Sequence, residues 1–333
     1  MTILQILWFV VIAVLFAGFL FFEGFDFGAG MATRLLANND SERQTILRSI
    51  APHWDGNEVW LITAGGAMFA SFPLWYASLF SGYYILLFLT LIALIFRGVS
   101  FEFTAHAQNA FQRSLWLWTN FIGSVSAPFL LGMLLTSMMQ GVPMDAQGNV
   151  WAGFFVVVNW LSVVGGLAVA YLSLIHGLHF ISLKTKNSLH NRAINMADKL
   201  YWLVYPVLVI FALLAIFQTD FFTKHLMTSL FIVILLVLAT LLGHLAIHYG
   251  HNAYAFSASG LSLILVIAFI FNGIFPRVMV SNNGKHDLLI STASASSLTL
   301  EIMTGVLAVL LPIVLIYSAW SYWIQRKKFV DIK

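Results

Sequence analysis

Four acidic side chains and a histidine stand close together where polar sequence meets apolar sequence. Glu23 and Asp26 follow a long apolar run, in Glu23-Gly24-Phe25-Asp26-Phe27-Gly28-Ala29-Gly30, and Pro52-His53-Trp54-Asp55-Gly56-Asn57-Glu58 opens another. If Pro52 is the first helical residue, where its missing N–H costs nothing, the spacing predicts a helix to Phe72 of 21 residues. Such a helix is roughly 31 Å long, the thickness of one hydrocarbon core. Asp55 and Glu58, three positions apart, then share one face of its first two turns. Ionisable groups at such a place are costly unless paired or wetted, and read as functional by default. Asp55 near a helix N-terminus can also simply complement the dipole and bind first-turn N–H groups. Asp26 can pair with Arg97 or Arg48 and do no more than fix the first helices.

Histidines form a second group. His244, His248 and His251 recur at i, i+4 and i+7, the spacing of a metal or heme site, and His176 and His179 add a pair. No carboxylate sits on either helix to complete a ligand set. The histidines are therefore expected to be wetted interfacial residues at the ends of the fifth and seventh spans, and no metal site is expected. The glycines Gly28, Gly30, Gly65, Gly66, Gly165 and Gly166 read as points of close helix approach. No strand precedes any of them, so a phosphate-cradling role is not expected.

What must position these residues is a membrane. The chain has 333 residues, 60% hydrophobic and 9% charged, with a mean hydropathy of +0.90. A soluble domain of that composition would have one large apolar surface patch. The isoelectric point of about 9.1 does not point to nucleic acid, because the positive charge is scattered through short loops. There are no cysteines, which excludes disulfides, thiolate metal sites and cysteine nucleophiles. Met1–Phe22 lacks a basic n-region and a small-x-small site, and reads as a permanent first span rather than a signal peptide.

The apolar runs predict an all-α polytopic protein of about nine transmembrane helices. They cover Ile3–Phe22, Pro52–Phe72, Tyr76–Phe96, Leu115–Leu135, Val150–Ile175, Tyr201–Phe217, Leu226–Leu242, Phe256–Phe275 and Leu298–Trp320. Pro73 ends or kinks the second, and the fifth continues as a helix towards Lys184. With the N-terminus outside, thirteen Lys and Arg fall in inner segments and three, Lys224, Arg277 and Lys285, in outer loops. That bias predicts an N-out, C-in arrangement. It gathers Glu23, Asp26, Asp55 and Glu58 on the cytoplasmic side. The expected organisation is two four-helix bundles, residues 1–140 and 141–280, with the ninth helix and a basic cytoplasmic tail, 281–333, at the periphery.

The strings EGFDFGAGM, APHWDGNEVWLITAGGAMFASFP, FSGYY and FRGVSFEF resemble subunit II of cytochrome bd-type quinol oxidases. The match is close over residues 20–104 and weaker but collinear beyond, with QGVP at Gln140–Pro143 and a tryptophan-rich last helix. The short chain and the histidine-rich end of the seventh span look more like the cyanide-insensitive branch. The resemblance implies a heterodimer in the bacterial cytoplasmic membrane that oxidises quinol and reduces dioxygen to water. It places heme b and heme d, or their b-type equivalents, in a larger subunit I, with small accessory subunits as further partners. It assigns this chain a share of the proton path, through Asp26, Trp54 and Asp55. Glu58 stands where the family pattern often has an amide; this departure either strengthens proton uptake or pairs with Arg97. The alternative is a secondary transporter with broken helices, against which the carboxylates lie at one face. A reporter fused after Lys333 is expected to be active only in its cytoplasmic form; periplasmic activity there would refute the orientation.

Overall fold

A computed structural model describes residues 1–326. Lys327, Lys328 and Lys333, counted above among the inner charges, and the basic tail lie outside the described residues. The helices run in the order α1 (Ile3–Leu35), α2 (Asp40–Ile50), α3 (Trp54–Ser71), α4 (Pro73–Gly82), α5 (Tyr84–Ala105) and α6 (Ala110–Gln140). There follow α7 (Phe154–Val157), α8 (Trp160–Lys184), α9 (Asn187–Gln218), α10 (Phe221–Lys224), α11 (Leu226–His248) and α12 (Asn252–Ile274). A two-stranded antiparallel hairpin, β1 (Arg277–Met279) and β2 (Leu288–Leu289), leads into α13 (Ile290–Ala293) and α14 (Ser297–Ile324).

Among the described residues eight helices are long and apolar enough to cross a membrane: α1, α5, α6, α8, α9, α11, α12 and α14. The chain is an integral membrane protein. The second run read from the sequence, Pro52–Phe72, is α3, which has 18 residues and is not among the eight. Trp54, Asp55, Gly56, Asn57 and Glu58 take up its first turns and lower its apolar character. It nonetheless joins the same two ends as its neighbours. Asn57 at its start meets Tyr322 near the end of α14, and the Ser71 carbonyl at its end accepts from the Ala295 amide at 2.8 Å.

Several boundaries differ from the sequence reading. The first helix does not stop at Phe22 but continues through Glu23-Gly24-Phe25-Asp26 to Leu35, 33 residues in all. Packing on three sides outweighs the low helix propensity of its glycines. Pro52 lies in the turn before α3 rather than at its first position. The third span begins at Tyr84, not Tyr76, because Phe72 and Tyr83 interrupt the helix on either side of α4. Residues 150–158 precede α8 as a bridge and a short turn, so the fifth span starts at Trp160. The sixth is extended to Asn187, and Pro206 is accommodated inside it.

The α1 helix lies at the centre, packed against α8, α6, α3 and α12, and α8 in turn packs against α6, α9 and α12. Their crossing is a backbone contact. A Cβ on Gly28 would strike the Ser173 carbonyl, and one on Gly177 would strike the Gly28 backbone. Such close approach replaces the hydrophobic drive that lipid does not supply between helices. On the other side of α8, Gly165 and Gly166 fit against Thr136 and Phe129 of α6. Gly65 and Gly66 do not serve this purpose: Gly66 has no atom within 4 Å of a built Cβ. By contrast α14 buries only Leu300. We expect Gly177→Leu to force α1 and α8 apart at a cost of at least about 1–3 kcal/mol. It should lower the thermal midpoint of the detergent-solubilised protein, whereas Gly305→Ala, which meets nothing within 4 Å, should not.

Candidate functional site

Glu23 and Asp26, three residues apart on α1, project into the cleft that α1 forms with α3 and α5. Both are fully buried, at 0% exposure, as is Arg97 of α5. The Arg97 Nη1 donates to Glu23 Oε1 and, at 3.1 Å, to Glu58 Oε1 of α3. Its guanidinium lies 4.8 Å from the Phe27 ring centroid and 5.5 Å from that of Phe101. Trp54 stacks on Phe101 at 5.0 Å and covers Gly98, closing the α3–α5 side. The enclosure is made of aromatic rings.

Asp26 does not pair with Arg97 or Arg48. Its Oδ2 accepts from Asn57 Nδ2 at 2.6 Å, and the same nitrogen donates to the Phe22 carbonyl at 3.3 Å. Asn57 Oδ1 accepts from the Tyr322 hydroxyl at 2.7 Å. The Tyr322 ring lies parallel to that of His53, 4.4 Å away. Burial, with a smaller contribution from Lys184, lowers the His53 pKa to about 4, so this ring is neutral at physiological pH. Asp55 is exposed at the mouth and makes no hydrogen bond or ion pair among the described residues. Glu58, half-buried, stands between it and Arg97.

Three carboxyls thus face one guanidinium in a buried cleft, where an uncompensated charge is costly. The pocket is also polar beyond those bonds. Glu23 Oε2, Asp26 Oδ1, Arg97 Nε and Nη2, and, on α6, Asn120 Oδ1 and Ser124 Oγ are buried without a hydrogen-bond partner. Buried donors and acceptors without protein partners are the groups that ordered waters satisfy inside a protein. Of the sequence-predicted residues, Asp26, Glu58 and Trp54 come together around the Glu23–Arg97 pair, and Asp55 marks the opening. Sequence reasoning missed Asn57 and Tyr322. Asn57 lay within the singled-out string; nothing in the sequence marked Tyr322.

The histidines are arranged differently from the expectation. His176 and His179 are not wetted but fully buried between α8 and α12. His176 Nδ1 meets Ser259 Oγ at 2.7 Å and its Nε2 meets the Phe21 carbonyl at 3.0 Å, so neither nitrogen is free to ligate. His251 is not on the face of His244 and His248. The helix ends at His248, and Gly250, at φ +77°, turns the chain into α12. The carboxylate absent from both helices comes from α9: Asp198 lies 3.4 Å from His244 and 3.1 Å from His248. Among the described residues no three His, Cys, Asp or Glu side chains converge to hold a metal.

Residues 4–325 match the family model described as cytochrome bd terminal oxidase subunit II. The chain is 42% identical over 329 residues to the cytochrome bd ubiquinol oxidase subunit 2 of Bacillus subtilis (strain 168), covering 98% of this chain and 97% of that one. It is 33% identical over 358 residues to the cytochrome bd-I ubiquinol oxidase subunit 2 of Escherichia coli (strain K12), covering 96% and 94%. Its fold matches a chain in the structure of bd oxidase from Geobacillus thermodenitrificans with a TM-score of 0.75 at 16% identity, covering 97% of this chain and 99% of that one.

Removing one partner of a buried ion pair leaves an unpaired charge and costs about 3–5 kcal/mol. Arg97→Leu is therefore expected to abolish accumulation of folded protein, and Arg97→Lys to restore it only in part, since an ammonium lacks the guanidinium fork. Arg97→Leu combined with Glu23→Leu should recover more protein than Arg97→Leu alone, read as the monodisperse fraction on gel filtration.

Proposed function

The chain belongs to the cytochrome bd terminal oxidase subunit II family, and we propose from this that it is the smaller subunit of a membrane quinol:dioxygen oxidoreductase. Its partner is a heme-bearing subunit I, with small accessory subunits and membrane lipid around the pair, in the bacterial cytoplasmic membrane. The observation that carries the reading within this chain is the buried group Glu23–Arg97–Glu58 with Asp26 beside it, opening at Asp55. Nine crossings, N-out and C-in, put that opening on the cytoplasmic side, with α3 as the crossing whose inner end carries the carboxyls. On this reading residues 1–140 hold the acidic half, 141–280 the second half, and 281–333 the peripheral helix and tail.

The heme b and heme d of such a complex, or their b-type equivalents, carry electrons from quinol to dioxygen. His176 does not fit a heme, since both its nitrogens are engaged and it lies flat against Phe256 at 4.4 Å. His179 has only its Nδ1 engaged, by Ser259, and its ring is stacked on Tyr201. On the family reading the ligands come from the partner subunit. This chain's residues move protons. Reduction of dioxygen to water consumes one proton with each electron, and a buried reaction site receives them only through titratable or wetted groups.

Asp55, exposed, takes a proton from the cytoplasm. Glu58, half-buried and already bonded to Arg97, receives it next. Arg97 holds the ionised state of whichever neighbour has released its proton, which lowers the cost of charge in transit. Glu23 and Asp26, each with one buried oxygen free of hydrogen bonds, form the inner end. Trp54 excludes lipid from the mouth by covering Phe101 and Gly98 rather than carrying protons itself.

Asp55→Asn keeps the shape and removes the proton. It is expected to leave heme content and assembly near normal while lowering quinol-oxidase turnover at least several-fold, with Asp55→Glu retaining part of the activity. Full turnover of both Asp55→Asn and Asp55→Asn/Glu58→Gln at alkaline pH, where delivery is hardest, would remove these residues from the path. Loss of assembly in Asp55→Asn would make Asp55 structural.

A further inference from the structure

The C-terminal helix α14 stands apart from the bundle along most of its length, buries only Leu300, and is fastened near its two ends. At the outer end, the Trp8 indole donates to Thr304 Oγ1 at 3.0 Å. At the inner end, Lys184 Nζ donates to the Gln325 carbonyl at 2.5 Å, and the Tyr322 hydroxyl donates to Asn57. The inner fastening reaches the acidic group directly, because the other side of the Asn57 amide holds Asp26.

We propose that Tyr322 is a positioning residue for Asp26, fixing through Asn57 which oxygen of the carboxyl carries the transferable proton. An amide can present either its oxygen or its nitrogen to a neighbour. Here three contacts settle the choice. The Asn57 nitrogen faces two acceptors, Asp26 Oδ2 and the Phe22 carbonyl, and its oxygen faces the Tyr322 hydroxyl. Both amide hydrogens are thereby used. Asp26 Oδ2 is occupied as an acceptor, so a proton on Asp26 resides on Oδ1, the buried oxygen that has no partner. The hydroxyl has no other acceptor among the described residues, and its ring is clamped between His53 at 4.4 Å and Phe22 at 5.7 Å. Without that hydroxyl the amide oxygen has no donor, and against a protonated Asp26 only the longer 3.3 Å bond to the Phe22 carbonyl opposes the turning of the amide. Its oxygen then accepts from a protonated Oδ2, and the proton is held against Asn57 instead of facing the pocket.

The inference rests on the reading of Asp26 as a proton carrier, and the experiment separates the two. The carboxyl C=O stretch of Asp26 is followed by redox-induced infrared difference spectroscopy on the purified two-subunit oxidase, and assigned by its loss in Asp26→Asn. Tyr322→Phe is expected to shift this band, leave heme content unchanged, and lower turnover about threefold, the size of one neutral hydrogen bond. If Tyr322→Phe does not assemble, site-specific 3,5-difluorotyrosine at position 322 keeps the ring and strengthens the donor; it should shift the band the other way. A band lost in Asp26→Asn but unmoved by either change at position 322 overturns the positioning role and leaves the proton path standing. No band lost in Asp26→Asn, with turnover intact, overturns both.

Discussion

The Arg97 guanidinium is the constraint on which the packing of α1, α3 and α5 depends. It is buried beneath Phe27 and Phe101 and bonded to carboxyls from two other helices, so α1, α3 and α5 are held by one charged group. A cation in that position is tolerable only because carboxylates surround it, and the carboxyls are tolerable only because of the cation. Neither α1 nor α3 can shift along its axis without unpairing a charge. The same group that fixes register also gathers the carboxyls of Glu23 and Glu58 on a single base, with Asp26 beside them.

The apolar runs, their charge bias and the acidic strings were legible because each is a local property. The string from Pro52 to Glu58 stood out as polar residues opening an apolar run, and of the two alternatives read for Glu58 the pairing with Arg97 is present at 3.1 Å. What was not legible depends on packing. The Glu23-Gly24-Phe25-Asp26 stretch reads as the end of a helix because glycine and aspartate are poor helix formers. The helix continues because Phe25, Phe27 and Gly28 are enclosed on all sides. Tyr322 lies 265 residues from Asn57 and sits in an aromatic-rich helix where a tyrosine reads as an interfacial anchor. The histidine face failed for a backbone reason, since the positive φ at Gly250 breaks the helical period between His248 and His251.

The buried histidines illustrate a general point about polar groups inside an apolar bundle. His176 and His179 both meet Ser259, and His176 reaches the Phe21 carbonyl, so α8, α12 and α1 are joined by polar contacts at the level where α1 turns acidic. The Phe21 and Phe22 carbonyls are engaged from opposite sides, by His176 and by Asn57. One turn of α1 thus receives a hydrogen bond from α8 and another from α3, just before the acidic residues begin.

The detachment of α14 has a mechanical consequence. Between Thr304 and Tyr322 the helix runs roughly 27 Å at 1.5 Å per residue, close to the hydrocarbon thickness of about 30 Å. Its two fastenings are therefore separated by about one hydrocarbon thickness. A bilayer thinner or thicker than this span is accommodated by tilt at a small cost per ångström, and tilt of a member held only at its ends is borne by those ends. Any tilt of α14 would therefore load the hydrogen bond from Tyr322 to Asn57.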